Sequence, residues 1–178
     1  MSKEPYGGGL APSNPPNWGE DKSRTVDSLQ PLLRWETFPR SKDREADREG
    51  IVEQITEVTY DLKVWETPHR VTSPRVRRGP KGVITEVQEE APGRFDGELE
   101  PIYVRTGLTT ASHRVDLLLK PATYYMWTIR ARFLLEGQPR VTEWGQDIEG
   151  LRSRGQGGFR RDVWHYFFGY YHFITPSK

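Results

Sequence analysis

Five cationic side chains form the densest group in this sequence that could bind an anion. They lie in HRVTSPRVRRGPKG, residues 69–82, and are Arg70, Arg75, Arg77, Arg78 and Lys81, of which the last four are the candidate binding residues. A guanidinium group pairs with two oxygens at once, so this segment could hold a phosphate, a nucleic-acid backbone or an acidic partner. The alternative is a solvated loop, because six acidic residues follow within twenty positions and the net charge is only +1. This near-neutral balance favours the loop and argues against nucleic acid as a partner.

A second group consists of aromatic rings near the C-terminus. The stretch FRRDVWHYFFGYYHF, residues 159–173, includes Trp164 and Tyr166. Exposed rings of this kind bind sugars or proteins, because they give a large contact area with little entropy to lose. The alternative is that they pack in the core beside a final strand, which the general burial of aromatic side chains favours.

Catalytic and metal-binding patterns are missing from the sequence. The four histidines show no zinc-ligand spacing, and the absence of cysteine excludes thiolate ligands, disulfides and a cysteine nucleophile. Ser112, His113 and Asp116 could be written as a triad, but nearness in sequence is not the geometry a triad requires. We therefore predict no catalytic residue, no metal site and no cofactor.

Period-two alternation of apolar residues is the main structural signal after Pro31, and it is typical of half-buried β-strands. The helix-forming run DREADREGIVEQI, residues 43–55, is interrupted by Gly50, so we interpret it as a charged loop or short turn. The alternating positions are Leu33 and Trp35; Val58, Tyr60, Leu62 and Val64; Ile102 and Val104; Val115, Leu117 and Leu119; Tyr125, Trp127, Ile129, Ala131 and Phe133; and Tyr171, Phe173 and Thr175. Many short strands and little helix predict an all-β sandwich or barrel.

The composition divides the chain of 178 residues into two parts. Residues 1–28 are rich in Gly, Pro, Ser and Asn, which predicts a flexible tether. Residues 29–178 hold the predicted strands, with insertions at about 68–101 and 145–169. Within the first insertion, VITEVQEE is a candidate strand of an extra hairpin. No stretch reaches the ~20 apolar residues that span a bilayer.

The segment LKPATYY has the spacing of a corner between two facing sheets. Leu119 would be buried at the end of one strand, Pro121 would fix the bend, and Tyr125 would begin the next strand, followed by Trp127. A buried tyrosine needs a partner for its hydroxyl, and here the hydroxyl can reach a main-chain group a few residues upstream.

This corner resembles that of the fibronectin type III family. The matching residues are Leu119, Pro121, Thr123, Tyr125, Trp127, Ile129, Arg130 and Ala131, together with Trp35 in LLRWETFP, Tyr60 in VTYDLKV and the closing FITP. The resemblance implies an immunoglobulin-like antiparallel β-sandwich, lengthened here by the two insertions.

The resemblance, together with the missing catalytic patterns, favours a non-enzymatic binding or assembly module. The polar N-terminal tail is similar in style to that of exported bacterial lipoproteins with this fold. We therefore expect an extracytoplasmic location in the periplasm or at the cell surface, with a cytoplasmic one as the alternative. We expect a protein partner, or alternatively a glycan bound by exposed rings, and membrane contact only through a lipid anchor that this chain lacks.

Overall fold

The computed structural model describes residues 9–15, 25–66, 100–145 and 171–178, and the backbone pairing of residues 70–78 and 84–92. Ten strands, one α-helix and one 3-10 turn make up this part of the chain. They are β1 (Pro12–Asn14), β2 (Leu32–Trp35), α1 (Ser41–Ala46), the 3-10 turn (Val52–Gln54), β3 (Ile55–Glu66), β4 (Arg70–Arg78), β5 (Ile84–Pro92), β6 (Tyr103–Leu108), β7 (Ser112–Arg114), β8 (Tyr124–Leu135), β9 (Gln138–Val141) and β10 (Tyr171–Ile174).

The described strands form two main antiparallel sheets. One has the order β1-β2-β7, and the other has the order β10-β8-β3-β6, with β9 following β10 along the same edge of β8. Strands β4 and β5 pair with each other as a separate antiparallel hairpin. The fold class is therefore all-β and antiparallel, with the two-sheet arrangement of a sandwich, as the alternation predicted.

The core lies between the two main sheets and consists of the alternating residues that the sequence predicted for β2, β3 and β8. Leu33 and Trp35 are buried in the three-stranded sheet, opposite Tyr60 and Trp127 in the other. The Trp35 ring lies 5.6 Å from the Tyr60 ring and 6.5 Å from the Trp127 ring. Large rings that meet across the gap bury much of the apolar surface that stabilises the domain.

The corner before β8 contains the hydrogen bond expected of it. The Tyr125 ring is 1% exposed, and its hydroxyl accepts a hydrogen bond from the Lys120 N–H at 2.9 Å. The Thr175 hydroxyl donates to the Lys120 carbonyl at 2.6 Å, so the C-terminal strand ties the same bend from the other side. Leu119 is buried below it.

Two alternation predictions were wrong near β6 and β7. Ile102 and Val104 are each 40% exposed, whereas Tyr103 between them is buried. The register decides this, because Tyr103 pairs with the buried Val64 of β3 and shares its inward face. Leu117 is also 40% exposed, because β7 ends before it and the chain no longer alternates.

Part of the predicted N-terminal tether is a strand of the sandwich. Leu10 is fully buried, and its carbonyl accepts a hydrogen bond from the Tyr171 hydroxyl at 2.6 Å. A Cβ on Gly9 would lie 2.6 Å from the Gly145 Cα, so both glycines permit this close approach. A polar sequence can form an edge strand because the pairing uses main-chain groups, and one buried leucine anchors it. Residues 1–8 and 16–24 of the predicted tether lie outside the described residues.

The run that was interpreted as a loop or turn begins within a helix, α1, so that interpretation was wrong at its start. The Asp43 carboxylate accepts a hydrogen bond from the Arg40 N–H at 2.9 Å, which caps the first turn. It also pairs with the Arg40 guanidinium, and both side chains are 3% exposed. Neither α1 nor the 3-10 turn, the helical elements of the described chain, has the length or apolar character needed to cross a bilayer.

Candidate functional site

The exposed apolar side chains of the described residues concentrate around strand β6. Four of the five large ones border this strand or the loop after β7, and we call these four the edge patch. They are Ile102, Val104, Leu117 and Leu118. Leu118 is 70% exposed, although the next residue, Leu119, is buried. Exposed apolar residues that are grouped in this way mark interaction sites more often than scattered single residues do.

Strand β6 is also an edge of the larger sheet. In the described part of the chain it pairs with β3 and with no other strand. Natural proteins usually protect such edges, because an unprotected edge accepts another strand. Here the strand carries the exposed Val104 near its start, with the exposed Ile102 just before it, and the Val104 carbonyl accepts a hydrogen bond from the Arg105 guanidinium at 2.9 Å.

A polar cluster holds the edge patch in place, and it consists of Tyr103, Arg105, His113 and Asp116. The Tyr103 hydroxyl lies 2.7 Å from His113 Nε2 and accepts a hydrogen bond from the Asp116 N–H at 3.3 Å. The Arg105 guanidinium donates to both Asp116 carboxylate oxygens, at 2.7 and 2.8 Å, and lies 4.3 Å from the Tyr103 ring centroid. These contacts join the edge strand of one sheet to β7 and its following loop in the other.

The pKa shifts in this cluster agree with a fixed hydrogen-bond network. Burial lowers the pKa of His113 and raises that of Tyr103. The hydrogen bond from Arg105 lowers the pKa of Asp116 and raises that of Arg105. At neutral pH the imidazole is therefore neutral. With its proton on Nδ1, its Nε2 accepts a hydrogen bond from the Tyr103 hydroxyl.

The cluster does not have the connections of a catalytic triad. Among the described residues, the His113 ring is hydrogen-bonded to Tyr103, and the Asp116 carboxylate is bonded to Arg105. Neither contact activates Ser112, and a raised pKa keeps the Tyr103 phenol protonated. No group of three or more potential metal ligands occurs in the part of the chain that the structure describes. What the contacts do is connect β6 to β7 and to the loop that follows it.

The binding residues predicted from sequence stay untested. Arg75, Arg77 and Arg78 belong to β4, for which the structure describes the backbone pairing with β5 and not the side chains. Lys81, Trp164 and Tyr166 lie outside the described residues. The corner residues Leu119, Tyr125 and Trp127 are buried in the core, and Pro121 begins the turn before β8.

Sequence reasoning missed the edge patch, although one signal was present. The run of three leucines at 117–119 cannot all face one core, since a short stretch at the end of a strand presents residues to several sides.

Comparison with protein-family models, with curated proteins and with solved structures gave no match.

Proposed function

We propose that this protein is a non-enzymatic binding module, a fibronectin type III-like sandwich that receives an extended segment of a protein partner along strand β6. The observation that carries the proposal is the position of β6 at the edge of the described sheet, with the apolar side chains of Ile102 and Val104 exposed along it. An added strand gains affinity from main-chain hydrogen bonds and specificity from side chains at alternate positions.

Two features support the likeness to the fibronectin type III family. Strands β1, β2 and β7 form one antiparallel sheet, and strands β3, β6, β8, β9 and β10 form the other, which is the two-sheet arrangement of such sandwiches. The corner at Tyr125 has the hydroxyl-to-main-chain hydrogen bond that is characteristic of such sandwiches. A rigid scaffold of this type reduces the entropy cost of presenting a binding edge.

The polar cluster supports a binding role for the edge patch. Because Arg105 and Asp116 join the two sheets at this side, Leu117 and Leu118 are held next to the strand that carries Val104. A partner strand on β6 could therefore place alternate apolar side chains against both parts of the patch. Burying exposed apolar side chains contributes about 25 cal/mol for each Å² removed from water.

Capture of partners on the immobilised full chain tests the proposal. The parent, Val104→Lys and Leu118→Lys would each be exposed to cell-envelope extracts and to synthetic extended peptides derived from any captured protein. We expect the captured protein and its peptide to bind the parent, and the lysine variants to lose at least tenfold in affinity, because a charge on an edge strand opposes strand addition.

Val141→Lys is the matched control, since Val141 is 51% exposed on β9, which lies at the opposite edge of the sheet from β6. We expect it to bind as the parent does. Equal affinity of all four proteins for the same peptide would contradict the edge as the binding site. Thermal melting of each variant would show that the fold is retained.

We also propose a location outside the cytoplasm, on the basis of the resemblance to exported lipoproteins. Fractionation of native cells, with detection of this protein in each fraction, tests it. Recovery from the cytosol alone would contradict the proposed location and leave the edge proposal unaffected.

A further inference from the structure

Two arginines are held side by side on the outer face of the larger sheet by one buried carboxylate. Asp61 of β3 has a side chain that is 2% exposed, and its Oδ2 accepts hydrogen bonds from the Nε atoms of Arg130 and Arg132, at 2.8 and 2.7 Å. Both arginines belong to β8, on alternate positions of the same face.

The way in which the arginines contact Asp61 leaves their donors available. Each uses its Nε on a single oxygen, whereas a bidentate pair would engage both carboxylate oxygens. The other oxygen, Oδ1, is buried without a hydrogen-bond partner. In the described chain, the terminal nitrogens of Arg130 and Arg132 donate to no other residue. With side chains 24% and 50% exposed, both are accessible from solvent.

The surrounding charges favour an anion. The Lys63 ammonium and the Arg130 guanidinium lie 4.8 and 4.4 Å from the centroid of the Trp144 ring. Three cations therefore accompany the single negative charge of Asp61. Like charges on one face of a sheet repel one another, and a bound anion relieves that repulsion.

Beside Arg132 the surface forms an open groove of about 220 Å³, which also contains Arg140 and Val141. Glu57 lines the same groove and partly offsets its positive charge. The space is sufficient for a small oxyanion group.

We propose that Arg130 and Arg132 form a binding site for an oxyanion, a phosphate or a carboxylate group, on the outer face of the larger sheet. Asp61 positions the two guanidinium groups, and their free N–H donors contact the ligand. This site is separate from the edge patch, and its existence does not depend on the function proposed for β6.

Titration with inorganic phosphate, followed through the arginine side-chain Nε–H signals in NMR spectra of the full chain, tests the site. We expect saturable shifts of the Arg130 and Arg132 signals with phosphate, and none with sodium chloride at the same ionic strength. A parallel titration with acetate distinguishes a carboxylate ligand from a phosphate ligand. Saturation by acetate alone would assign a carboxylate, and stronger binding of phosphate would assign a phosphate.

Variants at position 132 make the test specific. Arg132→Gln should weaken binding about tenfold or more, the factor expected for loss of charge-assisted hydrogen bonds. Arg132→Lys retains the charge but loses the planar guanidinium group with its several N–H donors, so it should also bind phosphate more weakly. It takes the place of the glutamine variant in the test if that variant fails to fold. Arg34→Gln, at an exposed arginine of β2 in the other sheet, should bind as the parent does. Shifts that match those in chloride, or unchanged affinity in both variants at position 132, would overturn the proposal.

Discussion

Three buried tyrosines hold main-chain groups at points where the chain would otherwise leave them unpaired. The Tyr60 hydroxyl accepts a hydrogen bond from the Phe38 N–H at 3.0 Å, the Tyr125 hydroxyl accepts one from the Lys120 N–H, and the Tyr171 hydroxyl donates to the Leu10 carbonyl. Each ring adds apolar area to the core while its hydroxyl fixes a neighbouring segment. The chain at Phe38, the corner at Lys120 and the N-terminal segment at Leu10 therefore each have one main-chain group fixed by a buried tyrosine.

Replacing these hydroxyls should cost stability in a defined order. Tyr125→Phe should lower the free energy of unfolding by about 1 to 3 kcal/mol, because it leaves a main-chain donor unsatisfied. Tyr60→Phe should cost more than Tyr125→Phe, because the hydrogen bond from the Phe38 N–H is buried whereas the one from the Lys120 N–H is part-buried. Urea unfolding of both variants measures the order, and a Tyr125→Phe variant as stable as the parent would show that the corner bond is not needed.

The pH dependence of stability should carry a contribution from His113. Because burial lowers its pKa in the folded state, the unfolded chain binds a proton more readily. This contribution to stability is complete above about pH 6.5, the ordinary histidine pKa, and is lost as pH falls through that value towards the lower folded pKa.

Urea unfolding of the parent and of His113→Gln at pH 7.5 and at pH 5 measures this contribution. The parent should lose more stability between the two pH values than the variant, which has no imidazole to titrate. Equal losses in the two proteins would contradict a lowered pKa for His113.

At the scale of elements, the N-terminal strand shows how a polar segment becomes part of a sandwich. The Ala11 N–H donates to Glu36, and the Asn14 side chain donates to the Leu32 carbonyl at 2.7 Å. The Arg40 guanidinium donates to the Gly9 carbonyl. The strand is thus attached to several elements at once, and its fully buried Leu10 contributes apolar burial to the core.

Leu10→Ala should therefore destabilise the fold by about 2 to 5 kcal/mol, the usual cost of truncating a buried leucine. Leu118→Ala is the matched control, because Leu118 is 70% exposed and should change stability by less than about 0.5 kcal/mol. Chemical denaturation measures both. A Leu10→Ala variant as stable as the control would indicate that residues 9–15 act as a tether after all.

At the scale of the whole molecule, strands β4 and β5 pair with each other, and in the described chain neither pairs with a strand of the sandwich. The register Val64↔Tyr103 places the end of β3 beside the start of β6, so the chain leaves and re-enters the sheet at neighbouring points. The hairpin then occupies the connection, and long connections cost little because the entropy of loop closure grows slowly with length.

Replacing residues 68–99 by Asn-Gly should consequently leave a folded sandwich of equal or higher stability, because a two-residue turn of this sequence matches the twist of antiparallel strands. A second version with a ten-residue Gly/Ser linker is the control for turn geometry. Circular dichroism and urea unfolding measure both. Loss of the folded state in both versions would show that the hairpin is part of the core.

Much of the fold followed from local pattern. The alternation over β2, β3, β8 and β10 predicted their inward faces, because successive side chains of a pleated strand point to opposite sides and one side carried most of the apolar residues. The spacing from Leu119 to Tyr125 predicted a corner for a similar reason, since a buried phenol has few nearby main-chain groups to contact.

What the sequence by itself determined is therefore the all-β class, the core faces of its long strands and the corner at Tyr125, all of which depend on residues close together in the chain. Only the tertiary structure decided that β6 is an edge strand of the described sheet, that Leu10 is core, and that Arg130 and Arg132 share the carboxylate of Asp61. Those features depend on which strands become neighbours and in what register, and a shift of one residue would move every side chain to the other face.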